Sequence, residues 1–273
     1  MFNKIGRLDT DMKKDIKQHL EEFYKLLDKN KKEQAEKQLF VLAKTPNYFI
    51  REFAGKELLN YHDQRKILPL IKKMLKHRIY GIRATAIFYF YSKLIDKPKK
   101  LLKILEESID SVPWEVESII NDLWKKYPEL LKESLKEWIL SENESKRALS
   151  FHGMENIANS DPVYIMNFIA LAIDDESMEV QKKITHILTQ VARTNPVIVY
   201  PYIHEWLLDA DEKRVKTIWV SMKKLANIVI QKSRREKSHD FVMLTKQTIS
   251  DWATDENENV SKMGKKLSFI ENR

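Results

Sequence analysis

The fold of this chain is decided by residues 141–206, SENESKRALSFHGMENIANSDPVYIMNFIALAIDDESMEVQKKITHILTQVARTNPVIVYPYIHEW. Two amphipathic segments begin near Lys146 and Val180, and each is followed by a polar residue and a proline, at 161–162 and 195–196. A proline suits the first turn of a helix, where no backbone N–H is needed. Apolar residues of the second segment recur at the spacing of one helix face: Val180, Ile184, Ile187, Leu188 and Val191. The stretch therefore predicts a unit of helix, turn, helix and turn.

This unit recurs along the chain. Equivalent positions near the start of each second helix follow one another every 30–35 residues: Ile50, Ile82, Val116, Lys146, Val180 and Val215. One further unit is indicated near the end, where Trp252 and Val260 repeat the places of Trp138 and Lys146. A period of this length with two helices per unit is typical of an α-solenoid, in which neighbouring units stack because no unit buries its apolar face alone. We therefore predict an all-α solenoid of about seven units.

The repeat also suggests how the chain is divided. We expect one domain over residues 1–273, with N-terminal capping helices in residues 1–45 and core repeats in residues 46–228. A C-terminal repeat would occupy residues 241–273. Between them, residues 229–240 include the sequence QKSRREKSHD, which we expect to form a basic insertion loop at the surface.

Composition limits the function further. The 273 residues include only 5 glycines and 8 prolines, which favours helices, and no cysteine, which excludes disulfides and thiolate chemistry. The N-terminus has no apolar signal region and no apolar run reaches the roughly 20 residues of a membrane span, so we expect a cytoplasmic chain without membrane contact. The net charge of +8 fits either a solvated Lys/Glu helix surface or a polyanion partner.

The positions of the cations within the repeat favour a polyanion partner. In a solenoid the second helices line up, so equal offsets from the reference position form a stripe on one surface. One residue after each reference position lie Arg51, Arg83, Glu117, Arg147, Gln181 and Lys216. Residues two, six and nine positions after a reference residue face away from the buried stripe. They include Lys182, His152, His186 and Lys224, and Arg193 lies on the same polar face. Such a face could neutralise phosphates.

Aromatic side chains leave two interpretations open. Phe88, Tyr91 and Trp114 fall near the same face and could stack on bases, yet Phe88 and Tyr91 also complete the apolar helix AIFYFY and could be core. The other tryptophans in apolar registers are expected to pack in the interior: Trp124, Trp138, Trp206 and Trp219.

No strong enzyme motif is present. His152 and His186 occupy equivalent offsets in successive units, but a metal needs three or four ligands and no further ligand converges on them predictably. Solvent-facing histidines are the better interpretation. The sequence also has no Gly-rich phosphate loop, HExxH motif or nucleophile elbow. We therefore predict no metal, no cofactor and no catalytic residue.

Residues 113–207 resemble the bacterial DNA alkylation-repair glycosylases of the AlkC and AlkD types, which are built from HEAT-like repeats. The AlkC-type resemblance rests on three groups of residues: Trp114-Glu115-Val116; Asn143-Glu144 with Arg147, Leu149 and Gly153; and Asp174-Asp175 with Val180, Leu188, Ala192, Asn195 and Pro196. It implies HEAT-like helix pairs arranged in a C shape, with a concave basic surface that holds duplex DNA by its backbone. Arg147 falls where the family has a DNA-contacting arginine.

The acidic residues of the family do not carry over. His152 stands where the AlkC-type pattern has an acid, Ser118 replaces the aspartate that follows the AlkD-type tryptophan, and His186 replaces a second tryptophan. A fixed carboxylate stabilises the oxocarbenium character that develops when a glycosidic bond breaks, and an imidazole cannot supply that charge. Glu115 and Glu117 are nearby and could substitute.

Three functions follow from these observations. The first is a DNA-binding protein of the alkylation-repair superfamily that holds double-stranded DNA, damaged or branched, at Trp114, Arg147, His152, Lys182, His186, Arg193, Lys216 and Lys224, with weak or no glycosylase activity. The second is a protein-interaction scaffold, favoured by Glu117, Asp122 and Glu155 within the stripe. The third is an active alkylpurine glycosylase of altered specificity. A monomer is expected in each case.

Overall fold

The structure, a computed structural model, describes Phe2, residues 5–233 and residues 240–271. These residues form 15 α-helices and no strand, which confirms the all-α prediction. In chain order the helices are α1 (Thr10–Asp28), α2 (Lys32–Ala43), α3 (Tyr48–Glu57), α4 (Gln64–Leu75), α5 (Tyr80–Leu94), α6 (Pro98–Glu106), α7 (Pro113–Lys126), α8 (Pro128–Ile139), α9 (Glu144–Ser150), α10 (Pro162–Ala170), α11 (Met178–Thr194), α12 (Pro196–Leu208), α13 (Glu212–Ser233), α14 (Asp240–Ala253) and α15 (Glu258–Glu271).

The helix starts follow from local chemistry. Pro162 and Pro196 open α10 and α12, as the sequence predicts, because proline already has the helical φ and needs no partner there. Other starts are capped by side chains that accept the free backbone N–H groups of the first turn. Asn47 caps α3, Asn143 caps α9 and Ser177 caps α11.

The repeat found in the sequence matches the second helix of each pair. Every reference residue is the third or fourth residue of its helix, from Ile50 in α3 to Val260 in α15. Most of them are fully buried, because the third or fourth position is where the apolar stripe of each helix begins. The number of seven units and the C shape stay predictions.

The chain divides into two compact units, Met1–Ile119 and Ile120–Arg273, with the boundary inside α7. In the first unit α1 packs on α2 and α3, and α3 packs along α5. Its core is formed by residues such as Ile16, Phe23, Ile50 and Tyr89. Phe88 and Tyr91 are 1% and 8% exposed, so of their two interpretations the core one is correct.

In the second unit the helices form two layers. We call α9, α11, α13 and α15 the second-helix layer, because each packs against the next. We call α8, α10, α12 and α14 the first-helix layer, where α12 packs on both α10 and α14 and the Tyr164 hydroxyl of α10 donates to the Lys132 carbonyl of α8 over 3.0 Å. Three of the four tryptophans expected inside are buried there, whereas Trp219 is half-buried.

Two further expectations concern the chain as a whole. The expected insertion at 229–240 begins as the last helical turns of α13, which continues to Ser233, and residues 234–239 lie outside the described residues. None of the helices in the described part of the chain is both long and apolar enough to cross a bilayer.

Candidate nucleic-acid interface

The predicted cations of α11 share one side of that helix. At 100° per residue, Lys182, His186 and Arg193 lie within about 40° of one another, and all three are exposed. The opposite side is the buried stripe of Val180, Ile184 and Leu188. Glu179 neutralises Lys182, because the Nζ and Oε1 atoms are 2.6 Å apart. Arg193 forms no ion pair with any described residue, so its charge is available to a ligand.

Helix α13 continues this surface. The predicted Lys216 and Lys224 are exposed on it, and so is Lys223, which the sequence analysis missed. Within the described residues none of the three forms an ion pair. Because α13 packs against α11, these lysines add to the exposed surface of the same layer.

Helix α15 adds a third row of cations. Lys265 and Lys266 are exposed, and the Lys266 Nζ lies 5.9 Å from the centroid of the Trp219 ring on α13. A cation over an indole face is attracted by the negative potential of the ring. We call the exposed side of α11, α13 and α15 the basic face, defined by Lys182, His186, Arg193, Lys216, Lys223, Lys224, Lys265 and Lys266.

Arg147 has a different environment. Its Nε donates to Asp175 Oδ2 over 2.6 Å, and its Nη1 donates to the carbonyls of Ser141 and Glu142 over 2.9 Å each. The hydrogen bond to Asp175 raises the pKa of the guanidinium. Burial raises the pKa of Asp175, but the hydrogen bonds from Arg147 and from the Ser177 N–H outweigh burial and leave that pKa below its usual value. Arg147 therefore connects the turn before α9 to the turn before α11.

Asp174, which precedes Asp175, connects the same turn to the next second helix, α13. Asp174 accepts from Nη2 of Arg214, on α13, over 2.6 Å, and this hydrogen bond lowers the pKa of Asp174. The pair Asp174-Asp175 thus holds an arginine from the preceding second helix and one from the following second helix. Arg147 and the pair Asp174-Asp175 both carry the family resemblance, and in the described residues both are used for contacts within the protein.

Two arginines of the first unit repeat this geometry. Arg51 and Arg83 each donate to the carbonyls five and six residues earlier, as Arg147 does. Arg83 also donates to the Ser111 carbonyl over 3.0 Å. Arg51 is only 5% exposed and pairs with Glu115 over 2.7 Å. The structure thus corrects the expectation that these two arginines belong to an exposed cationic stripe, because a long side chain that folds back on its own turn uses its donors internally.

His152 is held by its backbone. The Trp124 Nε1 donates to the His152 carbonyl over 2.9 Å, and the Lys183 Nζ lies 3.3 Å from the His152 Nδ1. Gly153 follows with φ of 83°. A Cβ at Gly153 would lie 2.6 Å from the Trp124 Cδ1, so a glycine is required both by the backbone and by the indole.

Trp114 belongs to the first unit, whereas the other seven predicted residues belong to the second. It is the second residue of α7 and is 71% exposed, so its ring is accessible at the surface. One helical turn later, the Ser118 Oγ accepts from the Tyr48 hydroxyl over 2.7 Å. Trp114 therefore presents a large apolar surface to solvent beside a pair of hydroxyl groups.

Glu115 was a candidate replacement for the missing acid, but it faces inward. It is fully buried, and its two carboxylate oxygens accept from the Arg51 Nη2 and from the Tyr80 hydroxyl. The Arg51 Nε is buried and has no hydrogen-bond partner among the described residues. This carboxylate is neutralised inside the protein, whereas a fixed charge for glycosidic cleavage has to face the substrate.

No group of three His, Asp or Glu side chains in the described ranges could hold a metal ion.

Comparison with family models gives a match to the family described as DNA alkylation repair enzyme over residues 14–227. A search of curated proteins finds no match. The family match covers all of the helices from α2 to α12 and most of α13.

Proposed function

Since the chain belongs to the DNA alkylation repair family, we propose that it binds double-stranded DNA by its phosphates on the basic face, with weak or no base excision. The observation that supports binding is a set of exposed cations on α11 and α13 that form no ion pair with any carboxylate of the described residues: Arg193, Lys216, Lys223 and Lys224. Lysines and arginines on a duplex release counterions from the phosphates, and this release supplies most sequence-independent affinity.

The proposal of weak or absent excision has its own support. Ser118 carries no charge, His152 is in contact with the Lys183 ammonium, and Glu115 is neutralised by Arg51. Ser118 and His152 thus carry no carboxylate at the two positions where the family resemblance suggests an acid, and the nearby Glu115 does not face solvent. Trp114, by contrast, is exposed and fits a stacking role on an unpaired or displaced base.

Arg147 contributes to binding only indirectly in this proposal. Four of its N–H groups already have acceptors within the protein. We assign it to holding the turns that orient α9 and α11, and we assign phosphate contacts to the cations of the basic face.

A matched pair of double variants tests the binding. Lys216→Gln/Lys224→Gln removes two charges from the basic face, and Lys136→Gln/Lys246→Gln removes two exposed charges from the first-helix layer of the same unit. Binding of a labelled duplex is measured by fluorescence anisotropy over a series of salt concentrations. For the first variant we expect weaker binding and a plot of log K against log salt that is shallower by about 0.9 per lost phosphate contact. Equal effects of the two variants would exclude the basic face.

Excision is tested directly with alkylated DNA. The wild-type chain is incubated with methylated duplex, and released 3-methyladenine and 7-methylguanine are quantified against a buffer blank. We expect release no greater than the blank. Release well above it would instead support an active glycosylase of altered specificity.

A further inference from the structure

The first-helix layer of the second unit has a groove between α12 and α14. Its volume is about 530 Å³, and Tyr200 and Trp252 form its floor. Val197, Pro201 and Leu244 form its walls, and Val197 and Leu244 are 68% and 37% exposed. Apolar side chains this exposed on adjacent helices form a surface that gains free energy when another apolar surface covers it.

A proline inside α12 changes the backbone hydrogen bonding beside this groove. Pro201 lies inside the helix and has no N–H, so the Val197 carbonyl lacks the donor that normally follows four residues later. Val197 lines the groove. A bound group that carries an N–H could therefore donate to this carbonyl.

The groove carries the opposite charge to the rest of the chain. Glu205 and Asp251 line it, and among the residues that the structure describes no lysine or arginine lines it. Among the described side chains, the Asp251 Oδ1 accepts a hydrogen bond from the uncharged amide of Gln247, whose Nε2 lies 2.7 Å away. The rim is thus acidic in a protein whose net charge is +8. A complementary ligand is apolar in its centre and cationic at its edge.

We propose that this groove docks a short amphipathic helix of a partner protein, with apolar residues on one face and lysines or arginines beside them. Helix-in-groove recognition uses apolar anchors at spacings of i, i+4 and i+7. The groove runs from Val197 to beyond His204 along α12, which is about 10 Å at 1.5 Å per residue. A helix of two to three turns fits this length.

The proposal does not depend on DNA binding. The groove lies in the first-helix layer, whereas the basic face lies on the second-helix layer of the same unit. A nucleic acid is a poor occupant, because the phosphates would face Glu205 and Asp251. The two surfaces therefore fit one chain that binds DNA through one layer and a protein through the other.

The test uses the full chain and three labelled peptides of equal length. The first is an amphipathic helix with leucines at i, i+4 and i+7 and lysines beside them; the second has glutamates in place of the lysines; the third has the first peptide's residues in scrambled order. Binding is followed by fluorescence anisotropy. The groove variants are Glu205→Lys/Asp251→Lys for charge and Leu244→Asp for the apolar wall. Glu133→Lys/Glu137→Lys, exposed on α8, is the charge-matched control.

We expect the cationic helix to bind the wild type at least tenfold more tightly than the other two peptides. Both groove variants should lose at least tenfold of that affinity, while the control keeps it, and circular dichroism should show all variants folded. Because Leu244 is on the surface, Leu244→Asp tests the groove even if the charge variant fails to fold. Equal binding of cationic and scrambled peptides, or unchanged binding by both groove variants, overturns the proposal.

A second copy of the chain is the other occupant to consider. Sedimentation velocity of the wild type and of Leu244→Asp distinguishes this case. A dimer that Leu244→Asp dissociates would assign the groove to self-association and overturn the proposal of a separate partner. A wild type that sediments as a monomer, together with selective binding of the cationic helix, supports it.

Discussion

The Arg147 Nε lies 2.6 Å from the Asp175 Oδ2, and this hydrogen bond joins two successive repeats of the second unit. Arg147 directly follows the reference residue Lys146 in α9, and Asp175 lies in the turn before α11. A residue that the family resemblance assigns to DNA contact is thus part of the internal structure of the solenoid.

Arg147→Met should reduce the free energy of unfolding by about 2 kcal/mol, a typical loss for a hydrogen bond to a charged group. The physical reason is that Asp175, whose side chain is 8% exposed, would keep its charge without its partner. Urea denaturation measures the loss. Arg193→Met removes an exposed arginine from the basic face and should leave the unfolding midpoint nearly unchanged. Equal midpoints for the two variants would contradict the internal role.

The same pair predicts how stability depends on pH. The folded-state pKa of Asp175 is below its usual value, so its contribution is present at neutral pH and is lost as the pH falls below about 4. The difference in unfolding free energy between wild type and Asp175→Asn should therefore narrow on acidification from pH 6 to pH 3. Denaturation curves at several pH values measure this. A difference that stays constant would show that ionisation of Asp175 does not contribute.

Gly153→Ala should destabilise the chain by more than a conformational effect alone. The backbone has φ of 83°, and the new methyl group would lie 2.6 Å from the Trp124 ring. Strain at such a φ costs about 1–3 kcal/mol, and the clash adds to it. Gly6→Ala is the control, because Gly6 has φ of 129° but nothing within 4 Å of an added Cβ. Thermal denaturation should show the larger loss for Gly153→Ala, and equal losses would mean that the contacts of the new methyl group add nothing to the backbone strain.

The buried pair Arg51–Glu115 predicts strong coupling between two substitutions. Arg51→Met leaves a fully buried carboxylate without its cation and should cost about 3–5 kcal/mol. Arg51→Met combined with Glu115→Gln removes the uncompensated charge and keeps an acceptor for the Tyr80 hydroxyl. The double variant should therefore be more stable than Arg51→Met alone. Additive losses in a double-mutant cycle would contradict this expectation.

Trp114→Ala should affect DNA binding without affecting stability. The side chain is 71% exposed, so its removal leaves no cavity. Loss of a base–aromatic contact costs about 1–3 kcal/mol, which we expect to appear for a duplex with an unpaired base and much less for a fully paired one. Anisotropy titrations with both duplexes measure this, and thermal denaturation checks the fold. Equal losses on the two duplexes would exclude stacking.

The sequence predicted the helices well because their signals are local. Apolar spacing, prolines and polar caps locate Ile50 or Val180 to within a turn of the helix start. The exposed Lys216, Lys224 and Arg193 could also be predicted, because each lies opposite a buried stripe.

The environments of the arginines were harder to predict. A helical wheel gives the direction of a Cβ, but the guanidinium of Arg51 or Arg147 lies several bonds away and can return to its own turn. A usable signal does exist in the sequence. In both cases a capping asparagine, Asn47 or Asn143, stands four residues before the arginine. A cap residue followed by arginine at this spacing favours an internal role, whereas cations later in the helix, such as Lys224, remain at the surface.

The turn at Asp174-Asp175 restricts how this chain can change in length. Asp175 binds Arg147 of the preceding second helix, and Asp174 binds Arg214 of the following one. Both carboxylates must therefore keep their positions. Deleting or inserting one residue there would rotate the following helix and misalign both carboxylates together. Among relatives, changes of length in the second unit should therefore be found in other connections.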